Sequence, residues 1–165
     1  MRTWFAAVRT ALYAAGFVLL WGWLASGVRG YDARLPVELS PASRPVGMLL
    51  IVAGGLVVLA CLASFVVRGQ GTPFPLDPPV AFVPSGLYRY VRNPMYIGAA
   101  FVLCGYGLWE RSPAIAIFAL VFLLIFHLFV VLVEEPGLER RFGESYLAYK
   151  RVVHRWLPRR PPASS

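Results

Sequence analysis

Long uncharged runs constrain this chain more than any other feature. Thr10 to Val28 carries no charged residue, and neither does Pro45 to Val67. Pro94 to Trp109 is a shorter run, and Ser112 to Val133 is another, with His127 as its single ionisable group. A helix needs about 20 apolar residues to cross the hydrocarbon core of a bilayer. Backbone amides and carbonyls find no water there, so each run must satisfy its own hydrogen bonds as a helix. The Pro94 run is short for a crossing. It reads as one arm of a tight hairpin, joined to the last run through Trp109-Glu110-Arg111-Ser112-Pro113. Charged residues make up only 15% of the chain, against about 25% in soluble domains. The expectation is an all-α membrane protein, a single membrane domain over 1–165 with about four transmembrane helices near 7–28, 46–67, 94–109 and 113–133. The C-terminal hairpin is expected to be followed by cytosolic amphipathic helices.

The first run reads as a retained helix and not a cleaved leader. Its apolar stretch is long for a signal peptide, and Trp21 and Trp23 resemble an interfacial aromatic belt. Four helices put the N-terminus, the middle loop and the C-terminus on one side. Those segments hold Arg2, Arg9, Arg68, Arg89, Arg92, Arg140, Arg141, Lys150, Arg151, Arg155, Arg159 and Arg160. The other side holds only Arg29, Arg34, Arg44 and Arg111. The richer side is expected to be cytoplasmic, with both termini there and the protein multi-pass in an inner or plasma membrane. The net charge of +8 is thereby explained by anionic headgroups. No basic patch is interleaved with aromatics in the manner that grips single strands, so nucleic acid is not an expected partner. Cys61 and Cys104 lie inside apolar runs with no Cys-x-x-Cys spacing. They read as small hydrophobes, and no metal site is implied.

Two polar segments flank the hairpin. The first ends the middle loop, Gly69 to Gly98, where five prolines between Pro73 and Pro84 forbid regular helix. It closes on Leu87, Tyr88, Arg89, Tyr90, Val91 and Arg92, and then Asn93-Pro94 opens a helix. Asn is a favoured N-cap and Pro suits the first helical position. Unpaired amides at such a start attract carboxylates. The second segment runs from Glu134 to Pro158. Glu134 and Glu135 stand where the last helix leaves the bilayer, a depth at which an unpaired carboxylate is costly. Arg89 or Arg92 is available to neutralise them. Leu138, Phe142, Tyr146, Tyr149 and Val153 recur at helical spacing, which predicts an apolar face against the membrane domain. Arg140, Arg141, Glu144, Lys150 and Arg151 would then face water or headgroups. Gly143 is expected to divide the segment into two short helices. His127 reads either as functional or as a neutral side chain bonded to a neighbouring helix, and it is not placed in the site.

Together the two segments resemble the isoprenylcysteine carboxyl methyltransferase and phospholipid methyltransferase family of membrane enzymes. Gly86, Tyr88, Arg92, Asn93, Pro94, Tyr96 and Gly98 fit the family's first motif. Glu134, Glu135, Leu138, Phe142, Gly143, Tyr146, Tyr149 and Pro158 fit its second. The resemblance covers Gly69 to Pro158, with the apolar hairpin between the motifs. It implies S-adenosylmethionine as cofactor, bound within 86–98 and 134–158 without a Rossmann domain. The absence of a Gly-rich strand-to-helix turn agrees.

The resemblance also implies roles. Arg92 with the amides of Asn93 to Met95 would hold the cofactor carboxylate, and Glu134 or Glu135 would accept from its amine or ribose hydroxyls. Tyr96, Tyr146 and Tyr149 would line the adenine or the sulfonium, and Tyr88, Pro94 and Gly98 are also expected among the cofactor-binding residues. Arg92, Asn93 and Glu135 are the expected catalytic residues. Many members carry His where this chain has Asn93, and Asn does not titrate near neutral pH, so no general base is expected there. The expected reaction is methyl transfer to a lipophilic acceptor, an isoprenylcysteine-like carboxylate or a phospholipid amine, with membrane lipids as partners. A non-catalytic scaffold of the same fold and a sterol-reductase-like enzyme using NADPH are the alternatives.

Overall fold

The computed structural model describes residues 2–68 and 85–159. The proline-rich stretch Pro73 to Pro84 and Arg160 lie outside them. Among the described residues the fold is all helical. Helix α1 spans Arg2–Val28 and leads into a 3-10 turn at Arg29–Arg34. Helix α2 spans Ser43–Arg68. A second 3-10 turn, Gly86–Arg89, precedes α3, Pro94–Glu110. Helix α4 runs Pro113–Phe129 and continues through a π-helical turn, Val130–Glu134, into α5, Glu135–Phe142. Helix α6, Glu144–Val152, follows.

Three stretches are long and apolar enough to cross a membrane, Ala11–Arg34, Ser43–Ser64 and Pro113–Phe142. Their exposed Leu, Val and Ile side chains, such as Leu19, Leu49, Leu56, Leu120 and Leu124, suit a lipid solvent. Helix α3 has 17 residues and, at about 1.5 Å per residue, falls short of the roughly 30 Å core. It lies between α2 and α4, with Ala100, Leu103, Gly105 and Gly107 buried.

The α2–α3 contact is a backbone-to-backbone seam of glycines. Gly47 and Gly54 in α2 are seven residues apart, as are Gly98 and Gly105 in α3. The helices run antiparallel, so Gly47 meets Gly105 and Gly54 meets Gly98. A Cβ at Gly54 would stand 2.5 Å from the Gly98 carbonyl oxygen, and one at Gly105 2.6 Å from that of Gly47. Lipid tails are as apolar as leucine, so helices in a bilayer associate through close packing of small residues. Gly98, expected among the cofactor-binding residues, packs against α2. Helix α1 joins the bundle through aromatics. Trp21 meets Phe122 edge-on at 4.7 Å between ring centroids, and Phe17 and Phe126 extend the cluster.

The π-helical turn has a covalent cause. Pro136 has no N–H, and its ring crowds the carbonyl four residues back, that of Leu132. The turn widens, and the Glu135 amide donates to Val130 instead. The helix thus passes Pro136 unbroken and ends at Gly143, whose φ of +52° favours glycine.

Candidate active site

The chemistry-bearing residues gather at the end of the bundle where α3 begins and α4 gives way to α5. Glu135 is buried at 4% exposure, a position that demands compensation for its charge. Arg155 supplies a two-pronged contact, Nε to Oε1 at 2.7 Å and Nη2 to Oε2 at 2.9 Å. Arg92 adds Nη2 at 3.1 Å from Oε1, and Lys150 Nζ stands 3.3 Å from Oε2. Lys150 also bonds Glu139, the main cause of its raised pKa.

Three cations against Glu135 and Glu139 leave a positive excess. The Arg92 side chain is 9% exposed, yet its Nε and Nη1 have no hydrogen-bond partner among the described residues. Buried guanidinium donors are seldom left so. Beside them begins α3, whose proline at the first position donates nothing. Asn93 stands at the N-cap position, as expected, but its side chain is not used to cap the helix. It donates instead to the Arg155 carbonyl at 3.2 Å. The Met95 and Tyr96 amides, in the first turn, have no acceptor among the described residues.

Glu134, the adjacent residue, turns another way. Its Oε2 accepts from the Tyr96 hydroxyl at 2.9 Å. Tyr96 in turn stacks on Phe126 of α4 at 4.6 Å.

The chain after α6 straps this end together. The Arg92 amide donates to the His154 carbonyl at 2.9 Å, and the Arg159 amide donates to that of Tyr90 at 2.8 Å. Trp156 Nε1 donates to His127 Nδ1 at 3.0 Å, so His127 is an anchor for the strap with that nitrogen unprotonated. Tyr149 donates to the Tyr88 carbonyl at 2.7 Å, and burial raises its pKa so that it remains a donor. Tyr146, Tyr149 and Val153 form one buried cluster with Leu138 and Phe142, the five residues picked out by helical spacing.

Of the expected site residues, Arg92, Asn93, Pro94, Met95, Tyr96, Glu134 and Glu135 come together. Tyr88, Tyr146 and Tyr149 brace that arrangement. Lys150 is drawn in to Glu135 and does not simply face water. Arg155 is the member of this charge cluster that the sequence reading missed. The signal was a pair of adjacent carboxylates needing more countercharge than Arg92 alone offers.

A model of the phospholipid methyltransferase family matches residues 43–145, more than half of the chain. The chain belongs to this family. The matched stretch holds the glycine seam, both motif segments as far as Ser145, and the glutamate pair. An uncharacterized protein of Haemophilus influenzae is 33% identical over 63 residues, which make up 38% of this chain and the whole of that protein. Family membership makes the chain a membrane methyltransferase at that coarse level. Lys150 and Arg155, which complete the charge cluster, lie beyond the family match.

Proposed function

We propose that the chain is an S-adenosylmethionine-dependent methyltransferase whose lipophilic acceptor reaches the site from the bilayer. The observation that carries this reading is the pair of open, buried donors on Arg92, set beside the uncapped start of α3. Two guanidinium N–H groups and helix-terminal amides form a receptor for a carboxylate, and the cofactor has one. Arg92, Met95 and Tyr96 would hold that end. When bound, S-adenosylmethionine supplies an electrophilic methyl group on a sulfonium. Glu135 keeps Arg92, Lys150 and Arg155 in place, and Asn93 ties the start of α3 to the strap. Tyr88, Tyr146 and Tyr149 support that frame. Rate enhancement would come largely from aligning acceptor and donor.

The polar end of the bundle faces the cytoplasm in this reading, α3 provides a fourth crossing between α2 and α4, and both termini are cytoplasmic. The asymmetry of Lys and Arg supports that orientation. Single-cysteine variants at Ser40, in the exposed connection between α1 and α2, and at Ser165, made in a background without Cys61 and Cys104, test it in intact cells. An impermeant reagent should modify Ser40→Cys and spare Ser165→Cys. The reverse pattern removes the orientation.

Calorimetry in nanodiscs tests the function. The protein should bind S-adenosylmethionine, and S-adenosylhomocysteine should compete. Folded protein that binds neither at millimolar concentration is not a methyltransferase of this kind.

A further inference from the structure

We propose that Glu134 is the proton acceptor for a basic-nitrogen acceptor, while Glu135 serves as the fixed counterion of the cationic frame. The proposal rests on the methyltransferase reading above and assigns a distinct task to each of two adjacent carboxylates.

Their surroundings differ in kind. Glu135 is bound by Arg92, Arg155 and Lys150. Glu134 has no cationic partner among the described residues. Its bond is to the neutral Tyr96 phenol. The titratable groups facing it are Tyr88 before α3, Tyr96 on α3, Tyr146 on α6 and Glu135 on its own helix, with Cys61 of α2 behind Tyr88. Three phenols and a carboxylate leave a partly buried Glu134 short of positive charge. A cationic group entering beside it would be welcomed, and an ammonium is such a group.

Position says which ammonium. The open donors of Arg92 mark the outer, polar end of the site. Tyr96 leads from Glu134 in the opposite direction, through its stack on Phe126, to the aromatic packing of Phe122 and Trp21. Glu134 therefore stands where the charged cluster meets the apolar bundle, the place reached by a lipid headgroup whose tails remain in the bilayer. An aromatic face next to the carboxylate adds attraction for a cation.

An amine acceptor at neutral pH arrives protonated and has no lone pair to offer. Asn93 cannot remove the proton. The ammonium N–H bond breaks with its electron pair remaining on nitrogen, and the proton forms an O–H bond on Glu134. The freed amine is then the nucleophile, and Glu134 returns its proton to water after the product leaves.

The test compares wild type, Glu134→Gln and Tyr96→Phe in nanodiscs, with phosphatidylethanolamine as the probe acceptor. Melting temperature, S-adenosylhomocysteine affinity and methyl transfer over a pH series are measured on each preparation. Glu134→Gln should keep the fold and bind S-adenosylhomocysteine within about twofold of wild type, yet lose roughly 100-fold or more in transfer, the usual worth of a general base. Its residual rate should climb as pH rises, because the acceptor must then lose its proton to water. Tyr96→Phe removes the hydroxyl bonded to Glu134 and keeps the Tyr96 amide; its transfer should show a displaced pH profile, and it carries the test if Glu134→Gln does not fold. Transfer by Glu134→Gln within tenfold of wild type, or a Tyr96→Phe profile identical to wild type, overturns the proposal. Loss of S-adenosylhomocysteine binding in Glu134→Gln makes Glu134 a cofactor ligand instead. Wild type that binds S-adenosylhomocysteine but methylates no aminophospholipid refutes the amine assignment alone. Wild type that binds none refutes the methyltransferase reading.

Discussion

Helices α3 and α4 open on the same grammar, a polar residue followed by proline, at opposite ends of the bundle. At Ser112-Pro113 the start is closed. Ser112 Oγ accepts from the Ile115 amide at 3.2 Å, and Asp32, reaching over from the turn after α1, accepts from the Ala114 amide at 2.9 Å. Around it, Arg111 donates to the Leu39 carbonyl at 2.8 Å, and Arg29 pairs with Glu110 at 2.6 Å. At Asn93-Pro94 the start is open. The capping residue is engaged elsewhere, and among the described residues two amides are unanswered and a buried arginine alongside keeps two unpartnered nitrogens. Structural helix ends satisfy their donors internally. Open donors among buried charge cost stability, and they are what supports the proposed binding role of this end. One end of this bundle is closed on itself, and the other is the proposed binding end.

The sharpest attempt to break that contrast is Glu135→Gln. It strands Arg92 in a buried position with no adjacent counterion, and breaking a buried pair from one side costs about 3 to 5 kcal/mol. The expected result is a large fall in melting temperature, read in nanodiscs by thermal denaturation. A stable variant with weakened cofactor binding would instead make Glu135 a ligand group and shift the binding end toward it.

Arg92→Gln should act on binding more than on folding, since Glu135 retains Arg155 and Lys150. Affinity for S-adenosylhomocysteine should drop by about 1.5 to 3 kcal/mol, the worth of charge-assisted bonds. Calorimetry on a preparation of known melting temperature reads both effects. Unchanged affinity would leave the open end without its ligand.

At the closed end, Asp32→Ala removes a cap and should cost about 1 kcal/mol in stability. S-adenosylhomocysteine affinity should stay at the wild-type value, because Asp32 sits at the far end of α4. A parallel loss of affinity would mean that the two ends are coupled. The smallest effect is expected from Arg29→Gln. Its pair with Glu110 is half exposed on the arginine side, at 52%, and such pairs contribute about 0 to 1 kcal/mol.

The differences between sequence expectation and structure follow a physical pattern. Apolar periodicity is local, so the helices and the cluster of Leu138, Phe142, Tyr146, Tyr149 and Val153 were legible directly. The glycine seam was visible only as spacing. Gly54 and Gly98 are 44 residues apart in the chain, and nothing local says that their backbones touch. Asn93 followed a strong local preference for capping and was overruled by a longer-range bond to Arg155. Lys150 looked solvent-facing because its side of α6 is polar, and Arg155 looked like part of a headgroup-binding tail.

The residues alone determined that this chain crosses a membrane as helices, that a hairpin separates two polar motifs, and that the glutamate pair beside it needs countercharge. Those facts rest on hydropathy and on the cost of burying charge, which depend on residue type and near neighbours. Only the tertiary structure decided which glutamate receives the three cations and which receives a phenol. Glu134 and Glu135 are chemically identical and adjacent in sequence. The widened turn before Pro136 and the returning strap give each its own surroundings. Electrostatic roles are set by distance in space, and that distance is fixed by packing among α3, α4, α6 and the strap.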